Sequence, residues 1–140
     1  MIRITLFIVA CFAFCGSLRA DTDDDTIQFL LKKSMVVVDG TIEASPMGVF
    51  NEDGVIDYVI KLTDAKSLVG GTVPLRISIS ASRFYESEKD ELPLLKKGQR
   101  GIFFLVLKPN NTPVYRASDL WISIQPYSVP LERRILALTK

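Results

Sequence analysis

Residues 95–108 read LKKGQRGIFFLVLK, and the six consecutive apolar residues Ile102 to Leu107 inside that stretch decide the fold. Beyond the N-terminal segment, the chain's other apolar stretches alternate with polar residues. In MVVVDGTIEA (35–44) the positions Val36, Val38, Gly40, Ile42 and Ala44 share one face, and Asp39, Thr41 and Glu43 point the other way. VIDYVIKLT (55–63) gives an inward set of Ile56, Tyr58, Ile60 and Leu62. VPLRISISAS (73–82) sets Val73, Leu75, Ile77, Ile79 and Ala81 against Arg76, Ser78, Ser80 and Ser82, and LWISIQ (120–125) buries Leu120, Ile122 and Ile124. Period-two patterning with one wet face is the mark of an antiparallel sheet or barrel. A strand apolar on both faces must be covered on both. With Ile102, Phe104 and Val106 turned to the shared core, Phe103, Leu105 and Leu107 need a second layer.

Two helical segments can supply it. In DTDDDTIQFLLKKS (21–34) Asp25 is placed to cap a short helix over about residues 26–33, with Ile27, Leu30, Leu31 and Ser34 on one face and Lys32 and Lys33 in the last turn. The alternate Asp21, Asp23 and Asp25 have the spacing of a calcium loop. The sixth position, however, is Thr26 instead of glycine, and the twelfth is Lys32 instead of glutamate. In SVPLERRILALTK (128–140) Ser128 caps, Pro130 sits in the first turn, and Leu131, Ile135 and Leu138 form the stripe. These helices are expected on the outer face of the doubly apolar strand. The alternative leaves Phe103 and its neighbours as an exposed patch for a partner.

The order is then helix, three strands, a linker at 85–98, two strands and a helix. The linker holds one or two helical turns before Pro93 and a turn at Gly98. Five strands with an insertion between the third and fourth is the order of an OB-fold barrel. Gly40 suits a first strand that bends to pair in both halves of such a barrel, although a bent edge strand reads the same way. The expected class is all-β: a five-stranded antiparallel OB-like barrel with a short N-terminal helix and a C-terminal helix.

VVVDGTIEA, PLLKKGQRGIFFL and LWISIQPY resemble the first, fourth and fifth strands of small secreted OB-like domains, among them netrin-like modules and exported bacterial domains of unknown role. The resemblance implies a small secreted OB-like domain. It carries no inhibitory mechanism with it, because the family's cysteine pairs, and the N-terminal cysteine with which its metalloprotease inhibitors chelate zinc, have no counterpart. VVVDG (36–40) also resembles the inhibitory loop of cystatins, in a fold where a helix lies across an antiparallel sheet. Met35 or Val36 stands where that loop has glutamine.

At the N-terminus, Arg3 precedes an apolar run from Ile4 to Phe14 and then small and polar residues, the layout of a secretory signal peptide over residues 1–20. A run this short falls below the roughly 20 residues that span a bilayer. Residues 21–140 would form a single domain, secreted or periplasmic. Ile8 to Cys11, IVAC, resembles a lipobox that would anchor the chain by lipid at Cys11; the apolar run continuing through Phe12 and Phe14 argues for cleavage after Ala20 instead.

Cleavage there removes Cys11 and Cys15 and leaves a chain with neither cysteine nor histidine. It also leaves fifteen basic residues against sixteen acidic ones, a formal charge of −1. The basic residues come as isolated pairs, so no nucleic-acid partner is expected. The common nucleophile–base pairs and zinc sets are missing, and no cofactor or metal is expected. Asp57, Asp64, Glu86, Glu88 and Asp119 are the carboxylates a hydrolase would need, but their spacing selects no pair. VGGT (69–72) lacks the lysine of a phosphate loop and reads as a hairpin turn, and Asn110 opens a glycosylation sequon.

A non-catalytic binding module remains, with a protein, peptide or glycan as partner; a small secreted protease inhibitor is the alternative. Barrels of this type bind on the outer face of their second and third strands and on the loops joining strands one to two and four to five. Arg76 lies on that outer face. The first loop (45–54) carries Met47, Val49 and Phe50, and the second (108–119) carries Tyr115 and Arg116, followed by Trp121. Aromatic residues with arginine are favoured interface anchors. The candidate site is therefore Phe50, Arg76, Tyr115, Arg116 and Trp121.

Overall fold

The computed structural model describes residues 22–84, 96–107, 115–117 and 121–140, and leaves the side chains of Arg83, Phe84, Tyr115, Arg116, Ala117 and Trp121 undescribed. Helix α1 (Asp24–Lys33) leads into strand β1 (Val36–Ile42), followed by β2 (Gly48–Phe50), β3 (Val55–Val69), β4 (Ile77–Phe84), β5 (Arg100–Leu107), β6 (Tyr115–Ala117), β7 (Ile124–Pro126) and helix α2 (Val129–Leu138). The strands form a curled, largely antiparallel sheet, a half-barrel, with both helices on its outside. β3 pairs with β4 along its first half, from Val55 to Leu62, and with β1 along its second, from Leu62 to Val69. β1 also pairs with β5, which is flanked on its other edge by β6 and β7. The β4–β6 pair is parallel.

Two cores sit on opposite faces of β1 and β5. Inside the curl, Val36, Val38, Ile42, Ile60, Leu62, Ile77, Ile79, Phe103, Leu105 and Ile124 pack together. On the outside, Ile27 and Leu30 of α1 and Leu131 and Ile135 of α2 close over Val37, Ile102 and Phe104. The second layer demanded by the 102–107 run is thus present, and both expected helices supply it. Its phase is the reverse of the expected one: Phe103 and Leu105 face the inner core, while Ile102 and Phe104 face the helices.

The reason lies in the register. Val36 pairs with Leu105, Val38 with Phe103, and Gly40 with Gly101, which puts the odd residues of β5 on the inner face. Gly101 makes room there for the Phe103 ring, whose Cε2 lies 3.0 Å from where a Cβ on Gly101 would be.

The helices follow their local sequence. Asp23, two residues before the expected Asp25, caps α1, its Oδ1 accepting from the Thr26 amide at 2.7 Å. Ser128 caps α2, its Oγ accepting from Leu131 N at 3.2 Å. Arg134 of α2 binds Asp24 of α1 at 2.6 Å, an exposed pair of small energetic weight.

β3 runs six residues past the expected end at Thr63. Its pairing with β1 slips by one residue between Asp39 and Thr41, and Asp64 adopts φ 52°. The slip falls opposite Gly40, but the extra residue belongs to β3, so the bulge is on the partner strand. It moves the inward position from Leu62 to Ala65 and breaks the alternation that marks the strand. Leu75, expected inside, is exposed, because its segment lies outside β4 and its carbonyl accepts from the amide of the bulged Ala65. Ile122, also expected inside, is exposed on a 3-10 turn at Trp121–Ser123, and only Ile124 of that stretch is buried.

Candidate functional site

The loop at 45–54 contains a strand. β2 pairs with β3 in the register Gly48–Tyr58, Val49–Asp57 and Phe50–Ile56, forming a hairpin that stands out beside β1. Its turn is fixed by Asn51, whose Oδ1 accepts from Asp53 N at 3.0 Å and Val55 N at 3.1 Å while its own amide donates to Val55 O. Gly48 lets the strands close: an added Cβ would lie 2.5 Å from Ile56 Cγ2 and 2.8 Å from the Tyr58 ring. Asn51 Nδ2 also donates to Asp57 Oδ2 at 3.2 Å, and Ser82 Oγ of β4 donates to Asp57 Oδ1 at 2.5 Å. The turn, β3 and β4 are thereby tied through one carboxylate.

This hydrogen-bonded element and the residues leading into it carry apolar side chains into solvent. Met47 is 84% exposed, Val49 66%, Phe50 59% and Val59 57%. The pairing puts Val49, Asp57 and Val59 on the outward face with Ser80 and Ser82, and Phe50 on the face of Ile56 and Tyr58. Hairpin charge is acidic: Glu52 and Asp53 are exposed in the turn and Asp57 is exposed on β3.

Of the expected site residues, Phe50 lies in β2, and Arg76 is exposed just before β4, its Nη2 4.0 Å from Glu43 Oε1. Their backbones stand on different parts of the β2–β3–β4 surface. Tyr115 and Arg116 belong to β6 and Trp121 opens the 3-10 turn, but their side chains lie outside the described residues, as does most of the 108–119 loop. Sequence reasoning passed over Val59, whose outward neighbours on β3 are charged.

It also passed over a polar network beneath the helices. Asp39 is 4% exposed, and Arg100 binds it in bidentate fashion, Nε to Oδ1 at 2.8 Å and Nη2 to Oδ2 at 2.6 Å. The guanidinium lies 3.5 Å from the Tyr127 ring centre, and Tyr127 Oη donates to Glu132 Oε2 at 2.6 Å. That bond to Glu132, and burial after it, push the Tyr127 phenol above its usual value. The bidentate bond to Asp39 holds the Arg100 proton more tightly than usual. These contacts run from Asp39 through Arg100 and Tyr127 to Glu132 and tie β1 and β5 to α2.

A cavity of about 10 Å³ lined by Ile42, Gln99, Arg100, Phe103, Ile124 and Gln125 has room for about one water molecule. Among the described residues no three carboxylates or other ligating groups gather as a metal site, and no helix is long and apolar enough to cross a membrane. The chain matches no protein-family model and no curated protein.

Proposed function

We propose that the protein is an exported, non-catalytic binding module that engages its partner through the β2–β3 hairpin. The observation that carries this reading is the exposure of Met47, Val49, Phe50 and Val59 on an element locked by the Asn51 turn and the Asp57 hydrogen bonds. A backbone already ordered by hydrogen bonds has less conformational entropy to lose when a partner covers its apolar side chains. An OB-like barrel is the fold in which a surface at this position binds. Supporting closure, the strand pairings run from β1 through β3, β4, β6 and β5 and return to β1. Supporting export is the charged and then apolar layout of residues 1–20.

The test is a photo-crosslinking residue at Val49, with one at the exposed Lys66 as control, in the protein exposed to extracts of its own compartment. Position 49 should capture a discrete partner that position 66 does not. Equal labelling from both positions removes the hairpin from the reading.

A projecting hairpin also suits a small protease inhibitor, which inhibition assays with the wild type and Phe50→Ala would reveal. The cystatin-like loop is not its instrument, because Val36 to Gly40 are buried within β1.

A further inference from the structure

The hairpin carries an excess of acid, and this narrows the partner. Residues 44–61 hold three acids, Glu52, Asp53 and Asp57, against one base, Lys61, which follows Val59 on the outward face away from the turn. Glu52 and Asp53 stand exposed at the turn, and Asp57 lies on the outward face between Val49 and Val59, its carboxylate oriented by Asn51 and Ser82. We infer that the partner is a protein or peptide surface that offers apolar side chains rimmed by lysine or arginine. This rests on the reading of the hairpin as the binding surface.

The division of labour follows from the geometry. Met47, Val49 and Val59 supply area that is removed from water on contact, the centre of an interface. Glu52 and Asp53, at its turn edge, stay partly hydrated and contribute steering and selectivity more than affinity, while Asp57, within the patch, needs a cationic group opposite it. Their field extends about a Debye length, roughly 10 Å at 0.1 M salt, which covers a patch of this size. The same three charges repel an anionic membrane surface or a nucleic acid, and they repel an acidic protein face. Apolar contact alone would not discriminate among these; the rim does.

Two synthetic amphipathic helical peptides with one apolar face, the polar face lysine in one and glutamate in the other, serve as probes for the full-chain protein by fluorescence anisotropy. The lysine peptide should bind about tenfold more tightly at about 50 mM salt, and the difference should vanish near 500 mM. Glu52→Lys with Asp53→Lys should reverse the preference, while Val49→Ser should weaken both peptides. These positions are exposed, so an unchanged thermal melt certifies that the variants are folded. Equal affinity for both peptides, no binding of the lysine peptide, or a preference that survives charge reversal overturns the inference. Sedimentation showing hairpin-dependent self-association overturns it in favour of a second copy as occupant. If Val49 crosslinks a partner while the peptides are not discriminated, only the charge inference fails; if Val49 captures nothing, the hairpin reading fails with it.

Discussion

Phe104→Ala tests the two-layer architecture at its most sensitive point. Phe104 is fully buried on the helix side of β5, packed with Ile27 and Leu30 of α1, Leu131 and Ile135 of α2, and Val37 and Ile102 of the sheet. Truncation removes the ring that both helices share and leaves a cavity that a sheet and two tethered helices can only partly fill. Such a change costs about 3–5 kcal/mol, against a total of about 5–15 kcal/mol for a domain. At about 4 °C per kcal/mol for a chain near this length, the melting temperature should fall by about 12–20 °C. Phe103→Ala, equally buried on the inner face, should cost a similar amount, so melting alone does not separate the layers. Hydrogen exchange does. With Phe104→Ala the amides of α1 and α2 should open at lower free energy than those of β1 and β3, because the helices are held chiefly through this layer. With Phe103→Ala the sheet should lose protection as well. A fall of less than about 4 °C for Phe104→Ala, or unchanged helix protection, would refute the assignment of this face to the helix layer.

Tyr127 ionises above its ordinary 10.0 because of its bond to Glu132 and its burial. The stability it contributes is therefore complete below that value and lost as pH climbs through the folded pKa, and Tyr127→Phe should remove that alkaline loss from urea midpoints taken across the range. Asp23 ionises below its ordinary 3.8 because of hydrogen bonds with the side chain and amide of Thr26. Its stabilisation holds above 3.8 and fades as pH falls through the lower folded value, and Asp23→Asn should keep the cap while flattening that acid limb. Gly70 has φ +91°, and a Cβ there would lie 2.5 Å from the Met35 carbonyl oxygen. Gly70→Ala should then lower stability by more than about 1 kcal/mol in denaturant unfolding.

The β-rich class and both helices were legible because period two and period 3.6 are written in the side chains. Ser128, Pro130, Leu131, Ile135 and Leu138 specify α2 as found, and Val36, Val38 and Ile42 face the core as their alternation requires. The phase of β5 was not legible in the same way, since a run apolar at every position has no alternation to read. What settles it is the partner strand, through Gly40 opposite Gly101 and the Phe103 ring lying over Gly101. A glycine two residues before a phenylalanine, on the same face, was the available signal. The end of β3 was hidden by the bulge at Asp64, which shifts the buried position by one and imitates a loop. At the site, Met47, Val49 and Phe50 stood out as apolar residues without a core role. The hydrogen bonds that order their hairpin were invisible, because they need Asn51 to meet Asp57, and Asp57 to meet Ser82, 25 residues along the chain.

Asp39 links the two halves of this picture. A carboxylate on the helix side of β1 would be expected in water, and the helices that cover the doubly apolar β5 unavoidably cover its neighbour too. Burial of a lone charge there would be prohibitive, and the bidentate Arg100 answers it. The Tyr127 ring stacks on the half-exposed guanidinium and passes the connection to Glu132 in the first turn of α2. A directional chain of this kind adds little net stability over apolar packing, but it fixes where α2 must sit. With α1 and α2 fastened across β1 and β5, that outer face is occupied. The outward surface around Val49, Asp57 and Val59 stays exposed, and it is the surface we propose for a partner. The apolar run at 102–107 thus determines, through the helices it recruits, which part of the sheet they cover.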